Sequence, residues 1–268
     1  MTSRGRGLGS VAPLSALRRP GAEGIQTRFS CKSQDEDSGG IENQLGNICE
    51  QLSDIDLTKS ANKLSEFTEK VKSLCQSNES LEKGVDGLFS FALQSKWNSH
   101  TAAIFCHHIG DITVEGVKLR THLLRKLQVS YKDRNKIYLN LEKFLLEVAF
   151  LCEIFHHVHI DGSCLKVLAR PVIDYLGMLI DGGSQKEIEV FVEQFPKCYR
   201  NLKENDSDGI DILVLKIRKQ IICESSTLTV RAMLLEIFEM ILTDWQPLSQ
   251  NAKNLYESLS KPIVKICE

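Results

Sequence analysis

Between Val117 and Lys136 the chain gathers positive charge on what a helical spacing makes one stripe. Lys118, Arg125 and Lys132 recur every seven residues, His122 and Lys136 fall in line with them, and Arg120, Lys126 and Arg134 flank them. From 116 to 136 there are seven Lys or Arg against one acid, Asp133. Such a stripe can hold RNA phosphates or the acidic face of a protein partner. The competing reading is a solvated helix face, on which long charged side chains merely cover apolar stems. The formal net charge of the whole chain is only −2, so the charge is a local feature rather than a general pull toward nucleic acid.

A second group of residues could hold a metal. Cys152 and His156 are four apart, His157 and His159 follow, and Cys106-His107-His108 lies upstream. Zinc needs a tetrahedral set, and there is no Cys-x-x-Cys, no His-Glu-x-x-His and no closely spaced second Cys/His pair to complete one. The helix dipole accounts for histidines in a last turn, and burial for the two cysteines. No metal and no cofactor are expected. Enzyme motifs are missing too: no phosphate-cradling glycine loop, no Gly-x-Ser-x-Gly elbow and no dinucleotide fingerprint. Gly5, Gly7 and Gly9 follow no strand. A non-enzymatic binding protein is the expectation.

The elements that must position these residues are helices. Ile137–His159 is the densest apolar segment, too long for a buried strand and free of Gly and Pro. Lys143, Glu147 and Glu153 interrupt it, so it lacks the uncharged run of a membrane span. With Val117–Arg134 before it, this segment reads as a central helical hairpin turning at Asn135-Lys136. The expected helices are 59–75, 80–96, 99–110, 116–134, 137–159, 164–181, 184–203, 208–223, 227–244 and 249–266. Ser184 with Glu187 forms a capping box, and Asp161-Gly162-Ser163 a turn and cap. Pro171 and Pro196 each kink or restart a helix. Taken in pairs, the first helices open near 59, 98, 137, 184 and 227, a spacing typical of HEAT and armadillo units. An all-α, HEAT/armadillo-like solenoid of about five helical hairpins follows, with a plain helix bundle as the alternative.

Residues 1–40 differ from the rest: Arg-, Gly- and Ser-rich, with no apolar period, they read as a disordered tail. Residues 41–58 make an acidic leader, and 59–268 the helical domain. Arg-rich, acid-poor N-termini also occur as mitochondrial transit peptides, but Gly5, Gly7, Gly9, Pro13 and Pro20 oppose the amphipathic helix these need. Nine Cys, an odd count set in apolar helical patterns, read as reduced core thiols of a cytosolic or nuclear protein.

Four stretches, in order, carry a resemblance: Leu123-Leu124 through Tyr131; Phe150 to Phe155; Arg170-Pro171 through Leu176; and Leu234-Leu235-Glu236-Ile237-Phe238-Glu239 leading to Trp245. From about Leu64 to Trp245 the chain resembles the middle domain of the translation initiation factor 4G family. The likeness is to its small adaptor members, the poly(A)-binding-protein-interacting and histone stem-loop-binding-protein-interacting types and the cap-binding-complex-dependent factor. Relatives usually carry an Arg where this chain has Ile241. The resemblance implies a non-catalytic HEAT-type scaffold in regulation of mRNA translation. It implies partners among translation initiation factors or mRNA-binding proteins, a DEAD-box helicase among them, and in some relatives RNA. The candidate partner-binding residues are Lys118, Arg120, His122, Arg125, Lys126, Lys132, Arg134 and Lys136. The candidate structural residues are Phe150, Phe155, Pro171, Leu234, Leu235 and Trp245, with the Trp245 indole expected against Leu234, Leu235 and Phe238. A cytoplasmic, and also nuclear, protein is expected. The alternative is an imported mitochondrial or metabolic helical protein of unknown chemistry.

Overall fold

Six of the helices start at a capping side chain. In the computed structural model, which describes residues 40–53 and 61–260, α1 spans Ile41–Ser53, α2 Ala61–Leu74, α3 Asn78–Ala92 and α4 Lys96–Ile109. A two-residue hairpin, β1 Thr113–Val114 with β2 Val117–Lys118, leads into α5 Leu119–Ile137 and α6 Leu141–His157. A second, β3 His159–Ile160 with β4 Ser163–Cys164, precedes α7 Ala169–Gly182, α8 Gln185–Asn205, α9 Ser207–Ile222, α10 Leu228–Leu242 and α11 Gln250–Ser260. The expectations for the Arg-rich tail up to residue 39 and for the chain beyond 260 lie outside the described residues. All the described residues belong to one unit, Gly39–Glu268.

Ser77, Ser95, Asn140, Ser184, Asp206 and Thr227 cap helix N-termini by accepting a backbone N–H. At Ser184 the box is reciprocal: the Ser184 N–H donates to Glu187 Oε2 at 3.0 Å. Gly183 ends α7 in the left-handed region, φ +66°, which glycine enters without steric cost. The two strand hairpins are small departures from the all-helical expectation. Each turns on a pair with positive φ, Glu115-Gly116 and Asp161-Gly162, the chemistry of a two-residue turn. Pro171 sits in the first turn of α7, where its missing N–H costs nothing, so the helix restarts just ahead of it. α8 continues through Pro196.

Among the described residues the helices form an all-α solenoid of five pairs. α1 packs chiefly on α3, α3 on α5 and α7 on α9, while α2 packs on α4, α4 on α6, α6 on α8 and α8 on α10. The pairs are therefore α1/α2, α3/α4, α5/α6, α7/α8 and α9/α10, closed by α11 on α10. This register is offset by one helix from the spacing that opened pairs near 59, 98, 137, 184 and 227. The strand hairpins explain the offset, since they lengthen the α4–α5 and α6–α7 links and leave the short joint at 138–140 to hold α5 and α6 together. Residues 41–53 of the acidic leader form α1, whose Ile48 joins the core.

α6 is the centre. Phe144, Leu145, Val148, Phe150, Leu151, Ile154 and Phe155 are buried around its whole circumference, because α4, α5, α7 and α8 all pack on it. Phe150 meets Phe89 edge to face at 5.1 Å, and Phe144 lies 5.4 Å from Tyr175. α5 reaches the following pairs through side chains. The Tyr131 hydroxyl donates to Asp174, and Tyr138 Oη donates to Glu187 Oε1 at 2.7 Å.

Candidate partner-binding face

α5 is built from opposed faces. Leu119, Leu123 and Leu127, four apart, are buried, and Arg125, Lys132 and Lys136 point to solvent. Arg125 and Lys132 take part in no ion pair among the described residues. Lys136 lies 3.5 Å from Asp133, one turn away. Lys126 is exposed, paired with Asp86 of α3, and its Nζ lies 5.9 Å above the Phe89 ring. Exposed pairs of this kind contribute at most about 1 kcal/mol, so they yield readily to a partner.

The rest of the stripe is not where a helical wheel puts it. Lys118 donates to Asp111 Oδ1 at 2.9 Å, and the same carboxylate takes the guanidinium of Arg120, which is 9 % exposed. The two cations, the Lys118 hydrogen bond foremost, hold the Asp111 carboxyl below its ordinary value against the opposing effect of burial. His122 is also buried, and its Nε2 has no hydrogen-bond partner among the described residues. Arg120 and His122 are therefore corrected from surface candidates to interior residues. The reason is the join to α3 and α4, which buries the start of α5 on more than one side. Arg134 is half-buried: its guanidinium lies 4.3 Å over the Tyr131 ring and donates to Tyr131 O at 2.9 Å.

Beside the exposed side of α5 runs a groove of about 590 Å³ between α3, α5 and the start of α6. Phe89, Leu93, Val129 and Ile137 give it apolar walls, and Lys126, Lys136 and Lys143 stand with Asp86, Asp133 and Glu147 around it. Burial pushes the Glu147 carboxyl up, although the Ser130 hydroxyl donates to it. An apolar trough with alternating charges can seat an amphipathic segment or a phosphate-bearing chain with stacked bases.

Of the structural candidates, Phe150, Phe155 and Leu234 are fully buried. Leu235 is 37 % exposed, since α10 ends the series of pairs and α8, α9 and α11 cover only part of it. Trp245 is half-buried, and its indole packs on Phe195 and Tyr199 of α8, at 6.2 and 5.1 Å. Its backbone sets this direction: Asp244 and Trp245 both have positive φ, and the Trp245 N–H closes α10 by donating to Met240 O at 2.7 Å. The chain thus turns back toward α8.

The histidine and cysteine pattern assembles differently from its spacing. Cys106 and Cys152 are buried, and the Cys198 thiol donates to Cys152 O at 3.6 Å. His156 is turned to the Lys197 carbonyl, 3.0 Å from its Nδ1. The side chains that meet are instead His100 of α4 with Glu153 and His157 of α6. Glu153 is 2 % exposed, with His100 Nδ1 at 3.0 Å, His157 Nε2 at 3.3 Å and the Lys197 ammonium on its other oxygen. Burial opposes its charge, but those three partners win and hold the carboxyl well below the usual range. The four-residue step from Glu153 to His157 was legible in the sequence; His100, 53 residues away from Glu153, was not.

No family model matches the chain. It is 26% identical over 216 residues to the CBP80/20-dependent translation initiation factor of Xenopus tropicalis, an alignment covering 79% of this chain and 36% of that protein. It is 27% identical over 192 residues to MIF4G domain-containing protein A of Xenopus laevis, covering 68% of this chain and 84% of that one. With the human MIF4G domain-containing protein the identity is 25% over 190 residues, covering 67% and 85%. The chain spans little more than a third of the first of these relatives and most of the other two. Five stacked helix pairs among the described residues, together with these likenesses, support an MIF4G-type domain in this chain.

Proposed function

We propose that this chain is a non-catalytic adaptor in mRNA translation initiation, acting in the cytoplasm and the nucleus. It binds translation factors, a DEAD-box helicase or RNA through the exposed side of α5 and the adjoining groove. The likeness to a translation initiation factor and to MIF4G domain-containing proteins over about two thirds of the chain carries the reading. Two observations support the choice of face. Arg125 and Lys132 stand exposed seven residues apart, and the groove beside them joins apolar walls to a charged rim. A face of this make-up steers an anionic partner and then buries part of it.

The test is affinity capture of the full chain from cell lysate, with and without ribonuclease, beside the Arg125→Glu/Lys132→Glu variant. Translation initiation factors should be recovered with the parent and lost with the variant. Complexes that survive ribonuclease identify a protein contact, and complexes that do not identify RNA. A variant that keeps every parental partner removes this face from the mechanism, and a parent that recovers no translation factor removes the role.

A further inference from the structure

We propose that His100, Glu153 and His157 form a binding site for a divalent transition-metal ion of the zinc class. The site lies where α4 packs on α6, in the layer opposite α5. Glu153 and His157 are one turn apart on α6, so they share a face, and His100 reaches them from α4. Both imidazoles address one oxygen, Glu153 Oε2, at 3.0 and 3.3 Å, and the three donor atoms all lie within 4.8 Å of one another. A four-coordinate ion with bonds of about 2.0–2.2 Å sets its ligand atoms about 3.3–3.5 Å apart. Two of the separations are already near that value, and a small inward turn of the partly exposed rings closes the third.

The donor set fits the zinc class. Two imidazoles and one carboxylate provide borderline nitrogen ligands and a single negative charge, with too few oxygens for calcium or magnesium. His100 and His157 are 38% and 25% exposed at the side chain, which leaves a fourth position open to water. The surroundings hold the ligands in place. Lys197 occupies Oε1 and so fixes the carboxylate with Oε2 toward the imidazoles. The His100 ring lies 6.0 Å from Trp97 and 4.9 Å from His157, which in turn meets His156 at 4.6 Å. In the metal-free protein each imidazole can donate its N–H to Oε2. Loading an ion requires only that each ring proton move to the other nitrogen.

The experiment uses the full chain with reduced thiols at pH 7.5, titrated with Zn²⁺ by calorimetry and with Co²⁺ by visible absorption. One ion per chain should bind, with cobalt d–d bands and no thiolate charge-transfer band. His100→Ala and His157→Ala should each abolish that saturable step, and Glu153→Gln should weaken it, while His108→Ala should leave it unchanged. Zn²⁺ should also raise the melting temperature of the parent but not of His100→Ala, whose folding is checked by circular dichroism. Absence of saturable binding, a thiolate band, or binding kept by both alanine variants would each overturn the proposal.

Discussion

Trp245 lies against Tyr199, ring centroids 5.1 Å apart and planes inclined at 51°, so the loop after α10 is fastened to α8. Phe195 extends the contact. Truncating a fully buried Trp costs about 3–5 kcal/mol, and Trp245, half-buried, should cost less, about 2 kcal/mol, when changed to Ala. Urea denaturation of Trp245→Ala, Tyr199→Leu and the double variant measures it. The two changes should couple by about 0.5–1.5 kcal/mol, the worth of an aromatic pair beyond its area. Strict additivity would mean that the rings only lie near each other.

Arg120 and Arg125, five residues apart on α5, should respond in opposite ways. Arg125→Ala alters an exposed side chain and should shift stability by no more than about 0.5 kcal/mol. Arg120→Ala removes a 9 % exposed guanidinium and its packed stem beside Asp111, and should cost about 1–3 kcal/mol. Thermal melts of the two variants decide it, and equal midpoints would place Arg120 at the surface.

Acid should act through Glu153. Its folded carboxyl value lies below the unfolded value of about 4.3, so the stability it confers is complete above about pH 4.3 and is lost as pH falls through the folded value. In Glu153→Gln that dependence disappears. Denaturant midpoints from pH 5 to pH 2 should fall less steeply in the variant than in the parent, and parallel curves would mean that another carboxylate controls acid stability.

Among the cysteines whose side chains the structure describes, Cys223 should alkylate first. Cys75, Cys106, Cys152, Cys164 and Cys198 are buried thiols, and burial pushes Cys75 up to about 11 and Cys106 up to about 12. Cys223 is partly exposed, and hydrogen bonding at Ser225 lowers its value. Peptide mass mapping after brief iodoacetamide treatment should find label at Cys223 ahead of the other five. Equal labelling at Cys106 would show that the core opens on that timescale.

By itself the sequence determined the helices, because they are written in local terms: an apolar period and, for six of them, a capping side chain at the start. The ten expected segments overlap α2 to α11, with ends up to five residues apart and the last followed only to 260, and the apolar belt of α6 already marked it as the centre. α1 was less legible, since its acids matched a leader and its apolar residues find their partners in α3 and α4. Tertiary structure decided what depends on neighbours. The pairing register followed from two strand hairpins of two residues each, too short to leave an alternating pattern. On an isolated helix His122 shares the stripe with Arg125 and Arg120 flanks it, yet α3 and α4 bury both. Trp245 was legible as a helix end, but the positive φ that accompanies its contact with Tyr199 was not. His100 meets Glu153 because α4 packs on α6, and spacing along one helix carries no record of the helix beside it.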